Sequence, residues 1–297
     1  MKVLVTGGSG FVGREITRQL IAVGHSVRVL ARGKKPAVNG VETVTGSVLL
    51  PDSLSTACSG CDAVIHLVGI ISEVGGQTFE RVHAEGTRHL LAAAARAGIC
   101  RHVQMSALGT RPEAASRYHR SKWDAEQAVR ASGLDWTILR PSLIYGPGDG
   151  FVNLFVGLSR WSPVLPVIGQ GTSLVQPVAV EDVARCFVGA LGEPHSIGQT
   201  LDVCGPNRLS FNAVLDEILA ATGRRRAKLH LPLPLARLQA RFLEFLCPRL
   251  LGQAPPLNRE QIVMLGEDNV GDPRPAAELF RFTPAPFRPT LRAWLAR

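Results

Sequence analysis

The sequence predicts a doubly wound α/β fold on a parallel sheet, followed by a smaller C-terminal α+β lobe. Three observations carry this expectation. Strand-like and helix-like segments alternate through the first half, the strand-like runs are apolar almost without interruption, and the texture changes after Pro141, where Gly146-Pro147-Gly148-Asp149-Gly150 crowds turn residues together. A strand apolar on both sides is buried on both faces, and only a parallel sheet covered by helices on each side provides that.

The elements follow in order. Val3-Leu4-Val5 reads as the first strand, and a helix from Phe11 to Val23 presents Val12, Ile16 and Leu20 on one face before Gly24 stops it. Val27 to Leu30, Val41 to Thr45 and Ala63 to Val68 read as the next strands. A long helix spans Phe79 to Ala97, ended by Gly98; a strand at His102 to Ser106, a helix at Tyr118 to Ala131 and a strand at Trp136 to Leu139 follow. Residues 1–150 are expected to form the dinucleotide-binding part, with 175–205 returning to it and most of 151–297 forming a substrate lobe. No repeat or low-complexity segment interrupts the chain.

A chain of 297 residues with 45% hydrophobic residues can bury a large core. Its net charge of +9 comes almost entirely from Arg, since only five of the 33 basic residues are Lys. The Arg are dispersed, which favours small anionic ligands; with 6% aromatic residues and no basic-aromatic stripe, a nucleic-acid partner is not expected. Six scattered Cys include one C-x-x-C, Cys58 and Cys61, without the second pair of a zinc site, so no metal is expected and the thiols read as small buried residues of a reducing compartment. The first strand starts at the N-terminus and no apolar run is long enough to span a bilayer, so the expected location is cytoplasmic, or peripheral to the inner membrane.

The turn Gly7-Gly8-Ser9-Gly10-Phe11-Val12-Gly13 stands where ligands bind in open parallel sheets, at the carboxyl end of the first strand. Gly7 permits a tight turn, Gly10 lets backbone N–H groups approach a pyrophosphate, and Gly13 lets the helix pack closely. The pyrophosphate then meets the positive end of the helix dipole. The second strand ends in Ala31-Arg32-Gly33-Lys34-Lys35, without the carboxylate that an NAD enzyme uses on the ribose 2′-hydroxyl. Arg32 and Lys34 could take a 2′-phosphate, so NADP(H) is expected over NAD(H); a solvated basic loop is the plainer reading of the same residues.

Tyr118 and Lys122 stand four residues apart on one helix face, in a chain with two Tyr and five Lys. A nearby ammonium favours a phenolate and could bring a phenol from about 10 toward 7, where it would exchange protons at neutral pH. Lys122 could also hold the nicotinamide ribose. Ser106, ending the preceding strand, could orient a substrate oxygen beside Tyr118 or simply terminate the strand.

With TGGSGFVG (Thr6 to Gly13), Tyr118/Lys122, LRPSLIYGPGD (Leu139 to Asp149) and QPVAVEDVA (Gln176 to Ala184), the chain resembles the extended and atypical short-chain dehydrogenase/reductase superfamily, with its Rossmann nucleotide fold. MSALGT, YHRSK and PPLNREQIVMLGEDNV (Pro255 to Val270) further resemble bacterial relatives of the 39 kDa NADPH-binding subunit of respiratory complex I. The resemblance implies a nucleotide wall that also takes in Ser47, Leu67, Val68, Gly69 and Pro141. It implies an NADP(H)-dependent oxidoreductase or epimerase-like enzyme on an unidentified carbonyl or hydroxyl substrate. Its alternative is a non-catalytic NADPH-binding assembly protein with a respiratory-complex or quinone-related partner. Three positions depart from the family pattern: Ser47 replaces an acidic residue near the adenine, His83 an Asn of the long helix, and Ala107 the catalytic Ser/Thr.

In the lobe, Leu235, Leu238, Phe242 and Phe245 form an apolar stripe on a helix from Leu233 to Leu251 that Pro248 is expected to end, with Arg237, Arg241 and Glu244 on another face. The stripe is expected to pack onto the lobe; contact with a membrane surface or a quinone-like partner is the other reading. Asp268 and Asn269 carry no assignable chemistry.

Overall fold

The computed structural model describes residues 1–33, 41–250 and 252–296. The first half begins β1 (Lys2–Thr6), α1 (Phe11–Ala22), β2 (Ser26–Ala31), β3 (Glu42–Thr45), α2 (Pro51–Cys58) and β4 (Ala63–His66). One π-helical turn (Glu80–Glu85) leads into α3 (Gly86–Arg96), then β5 (Arg101–Met105), α4 (Arg117–Arg130) and β6 (Asp135–Pro141). The lobe mixes short strands and helices: β7 (Ile144–Tyr145), α5 (Val152–Trp161), β8 (Val164–Ile168), β9 (Leu174–Val175) and β10 (Val178–Ala179). After α6 (Val180–Gly192) and β11 (Gln199–Val203) come β12 (Leu209–Ser210), α7 (Phe211–Ala221), β13 (Ala227–Leu231) and α8 (Leu233–Leu250). Three short helices close the chain, α9 (Arg259–Leu265), α10 (Arg274–Leu279) and α11 (Phe287–Leu295).

Seven strands form the central sheet in the order β11-β6-β5-β4-β1-β2-β3, and every pairing in it is parallel. The order reverses between β1 and β4, so their carboxyl ends open a crevice there. Layers cover both faces as the apolar strands require. Ile16 and Leu20 of α1 pack with Val183, Phe187 and Ala190 of α6 on one face; Leu54, Ala57, Leu90 and Ala94 of α2 and α3 cover Leu4, Leu30 and Val64 on the other. A separate core in the lobe joins Phe155, Leu165, Phe211, Leu215 and Phe287.

Polar groups inside this sheet are only partly paired: His66 Nε2 and His102 Nδ1 have no partner among the described residues, whereas Arg101 is fully engaged. Arg101 is buried and donates to the carbonyls of Ala190 (2.5 Å) and Asp135 (2.5 Å) and to Thr137 Oγ1 (2.6 Å), tying β5, β6 and α6 together. Cys58 and Cys61 are buried free thiols; burial pushes Cys58 up to about 11 and raises Cys61 too, so neither is a poised thiolate. Among the described residues no His, Cys, Asp or Glu cluster could hold a metal.

Two expectations for the lobe fail. Helix α8 runs through Pro248 to Leu250, because a proline in the last turn forfeits only one hydrogen bond, to the carbonyl of Glu244. More consequentially, its buried side is Ala236 and Ala240, packed with Ile262, Ile168 and Leu257, while Leu235, Leu238, Phe242 and Phe245 are 53–65% exposed. The small side chains admit the neighbouring α9 closely, and the large ones are left facing out.

Candidate functional site

The glycine turn closes as its residues require. Gly7 has φ +79°, the left-handed region, and its carbonyl accepts the Gly10 N–H at 3.0 Å. A Cβ on Gly13 would stand 2.3 Å from that same carbonyl, so the third glycine is needed by the turn's own backbone. Gly8 has a role that sequence reasoning missed, since its Cβ would strike Val29 of β2 at 2.8 Å. Gly10 is the N-cap of α1 and supplies no side chain to it, and no acidic residue stands in the first turn. The first N–H groups of α1 therefore lack an intrahelical or side-chain cap partner, which is the donor set a pyrophosphate fits.

A cavity of about 290 Å³ lies against this turn, lined by Gly7, Ser9, Gly10, Arg32, Ser47, Leu67, Val68 and Gly69. It also includes Gly46, Val48, Ile70, Gln77 and Val82, for which no local sequence signal exists. Phe11, Val12 and Gly13 form the first turn of α1 outside the lining, with the Phe11 ring 3.4 Å from where a Gly146 Cβ would stand. Pro141 ends β6, buried outside the cavity lining, and its carbonyl accepts the Leu108 N–H at 2.9 Å. Arg32 reaches across the cavity mouth to donate to Gln77 Oε1 at 2.8 Å. Lys34 lies outside the described residues. Backbone turn, uncapped helix and cavity together fit a dinucleotide.

Tyr118 and Lys122 sit on α4, whose start is set by Ser116, its side chain accepting from the His119 N–H. Lys122 is 3% exposed. Its Nζ donates to the Met105 carbonyl at 3.2 Å and lies 3.0 Å from where a Cβ on Gly69 would stand, so the ammonium adjoins the cavity wall. Burial lowers it to about 8, with Glu126 one turn on acting against that shift. Tyr118 departs from expectation. Its ring is packed edge-on against Phe79 (6.0 Å), His83 (5.4 Å) and His119 (5.2 Å), and burial pushes the phenol up to about 12 rather than down toward neutrality. The Lys122 ammonium, turned to the Met105 carbonyl, does not offset that cost.

His83, at the family's Asn position, belongs to a defined relay. Its Nε2 accepts from the Ile70 N–H at 3.0 Å, which leaves the proton on Nδ1 to donate to Ser121 Oγ at 2.8 Å. Ser121 in turn donates to the Tyr118 carbonyl at 2.8 Å. Burial first, then Lys122, lowers His83 to about 2, so the ring is neutral and its tautomer fixed. The π-helical turn carrying His83 interrupts what the sequence reads as one continuous helix. Ser106 is buried and its hydroxyl donates to Thr110 Oγ1 at 3.3 Å, while half-buried Ala107 beside it has no hydroxyl to offer.

The C-terminal segment, silent in the sequence, closes over this site. Asn258 donates to the Ile71 carbonyl at 2.7 Å, Glu260 accepts from the Arg117 N–H at 2.6 Å, and Arg111 pairs with Glu267 at 2.6 Å. Asp268 accepts from the Leu174 N–H at 2.7 Å, and Asn269 donates to the Leu108 carbonyl at 3.1 Å. Asn269 thus staples the lobe to the sheet-bearing half, while Asp268 ties the C-terminal segment to β9 within the lobe.

The profile of the NAD(P)H-binding family matches residues 7–194. The chain belongs to that family. Curated relatives include a ceramide reductase of Caulobacter vibrioides, 38% identical over 65% of this chain and 61% of the relative. A mitochondrial NADH dehydrogenase [ubiquinone] 1 alpha subcomplex subunit 9 of Arabidopsis thaliana is 30% identical over 89% of this chain and 68% of its own length. A 2-alkyl-3-oxoalkanoate reductase of Stenotrophomonas maltophilia is 27% identical over 96% and 95%. The chain thus spans about two thirds of the length of the first two relatives. Among solved structures, a UDP-glucose 4-epimerase of Thermotoga maritima superposes with TM-score 0.79 at 19% identity, over 100% of this chain and 98% of the epimerase. A dTDP-glucose 4,6-dehydratase of Streptomyces venezuelae does so at 0.78 and 22%, over 100% and 96%. These two establish the fold, a doubly wound nucleotide-binding sheet. The family is that of NAD(P)H-binding proteins, and the relatives this chain resembles include two named as reductases and one named as an NADH dehydrogenase [ubiquinone] subunit. Among the described residues no helix is long and apolar enough to cross a membrane.

Proposed function

We propose that the protein is an NADP(H)-dependent reductase of a ketone carrying an alkyl chain. The observation that carries the reading is Lys122, a buried ammonium at the wall of the nucleotide cavity, one helical turn from Tyr118. NADPH, when bound, supplies the hydride to the carbonyl carbon. Tyr118 holds a proton at its Oη, which a phenol pushed up to about 12 retains at neutral pH, and gives it to the carbonyl oxygen. Lys122 holds the ribose one helical turn away, and the phenolate left behind regains its proton from solvent. His83 and Ser121 fix the backbone from which Tyr118 projects. Residues 1–150 and 175–205 are the nucleotide-binding part in this account, and most of the remainder holds substrate.

The preference for NADP(H) rests on Arg32, at the cavity mouth where β2 ends without a carboxylate. The alkyl-bearing substrate rests on the second cavity, about 740 Å³, walled by Ile168, Leu231, Pro232, Leu233, Ile262 and Leu265, and on the reductase names of two relatives. The test is oxidation of NADPH, followed by absorbance, against 3-oxoacyl compounds of graded chain length. Tyr118→Phe is expected to cut turnover at least about hundredfold with NADPH affinity unchanged. Full turnover in that variant would exclude Tyr118 as the proton donor.

A second reading has its own support: Ser106 is turned inward to Thr110, Ala107 lacks a hydroxyl, and a respiratory-chain subunit matches 89% of this chain. In it NADPH is a structural ligand of an assembly partner. Cells carrying Tyr118→Phe would then grow normally, while cells carrying Arg32→Glu would not.

A further inference from the structure

We infer that the outward face of α8 docks the protein on an anionic lipid bilayer surface. Leu235, Leu238, Phe242 and Phe245 recur at intervals of three and four, so they share one face of the helix. All four are more than half exposed. A stripe of four large apolar side chains in water is a cost that an interaction surface explains.

The charges around the stripe select the partner. Arg237, Arg241 and Arg249 are exposed along the same helix, and Arg249 stands 3.7 Å over the Phe245 ring. The one acid of α8, Glu244, is already paired with Arg259 at 2.7 Å, which leaves the Arg without an acidic counterpart on their own helix. Long basic side chains beside Leu and Phe suit a helix lying in the headgroup region, with its apolar face sunk and its cations toward phosphate. A second copy of this chain is the poorer occupant. Two such faces brought together crowd Arg249, at the stripe itself, and the flanking Arg237 and Arg241 of both copies into one seam, with no free carboxylate on α8 to answer them. The helix starts at Leu233, in the wall of the 740 Å³ cavity, so docking places that cavity's rim beside the lipid. This inference stands whether or not the protein turns over a substrate.

The test is flotation of the full chain with vesicles of mixed phosphatidylcholine and phosphatidylglycerol, against vesicles of phosphatidylcholine alone. Binding to the mixed vesicles that weakens in high salt is expected. The pair Leu238→Glu with Phe242→Glu is expected to lower the partition at least about hundredfold, and the pair Arg237→Ala with Arg241→Ala about tenfold. NADPH affinity is read in parallel and should not move in either, which separates lost docking from lost fold. Equal flotation of wild type and the Glu pair, no flotation at all, or a wild-type dimer that the Glu pair dissolves would each overturn the inference.

Discussion

The two cavities of this molecule are walled by different means. The one beside the sheet stands on the glycine turn that opens α1: Gly7 and Gly10, with Gly46 and Gly69, bring main-chain atoms to its surface, and side chains such as Leu30, Val48, Leu67, Val68 and Ile70 wall the rest. The one in the lobe joins Leu, Ile and Pro side chains of β8, β13, α8 and α9 to the loop from Gly169 to Ser173, away from the glycine turn. A glycine turn at an uncapped helix start suits a ligand whose pyrophosphate wants N–H groups and whose shape never changes. A side-chain wall can be altered residue by residue without disturbing the turn that holds the nucleotide. The nucleotide half is accordingly where substitution should be costly, and the lobe where it should be cheap.

Acid gives the largest contrast. His66, His83 and His102 are buried in the nucleotide half, and burial drives His102 to about 4, His83 to about 2 and His66 well below its usual value. The exposed His230 lies in the lobe. A histidine whose folded value is depressed contributes no penalty above about 6.5 and costs stability as pH falls below it. From pH 7.5 to 5.5 the three together should remove about 4 kcal/mol. Denaturant melts at the two pH values measure this, with hydrogen exchange expected to rise first in β4 and β5; a flat profile would mean the rings are not held neutral.

Next comes Gly13→Ala, whose Cβ would stand 2.3 Å from a carbonyl. A loss of about 3 kcal/mol and of nucleotide binding is expected. Gly10→Ala meets only the Gly7 carbonyl at 3.2 Å, so it should keep the fold and weaken the nucleotide. Matching melting curves for the two variants would undo the distinction.

Lys122→Met should move the other way and by less. An ammonium whose folded value is lowered to about 8 destabilises the fold fully below that pH, and the penalty fades as pH approaches 10.5. Allowing for the lost bond to Met105, the variant should gain about 2 kcal/mol at pH 6 and nothing near pH 10, while losing activity. No gain at pH 6 would show the charge to be solvated. Smallest of all, Leu238→Glu on α8 should change stability by under about 0.5 kcal/mol, since the side chain touches little; a drop of several kcal/mol would place the stripe inside the fold.

The sequence showed the nucleotide half more clearly than the lobe for the same reason that the cavities differ. Gly7, Gly13 and the strand-helix alternation are local requirements, readable from neighbours along the chain. The direction in which α8 faces is not local. Its Ala side and its Leu/Phe side are both apolar, and only the arrival of Ile262 from α9 decides between them. Gln77 meets Arg32 from 45 positions away, and Asn258, Glu260 and Asn269 join segments still more distant, so no spacing announces them. Tyr118 was legible as a residue but not in its acidity, which depends on the rings of Phe79 and His83 around it.

The central claim, that the cavity on the glycine turn holds NADP(H) with Arg32 on the 2′-phosphate, is tested most directly by titrating NADPH and NADH into the wild type and Arg32→Ala. The wild type should bind NADPH about tenfold to hundredfold more tightly than NADH, and Arg32→Ala should lose that preference while its NADH affinity stays the same. Equal affinities in the wild type, or a preference that survives the substitution, would contradict it.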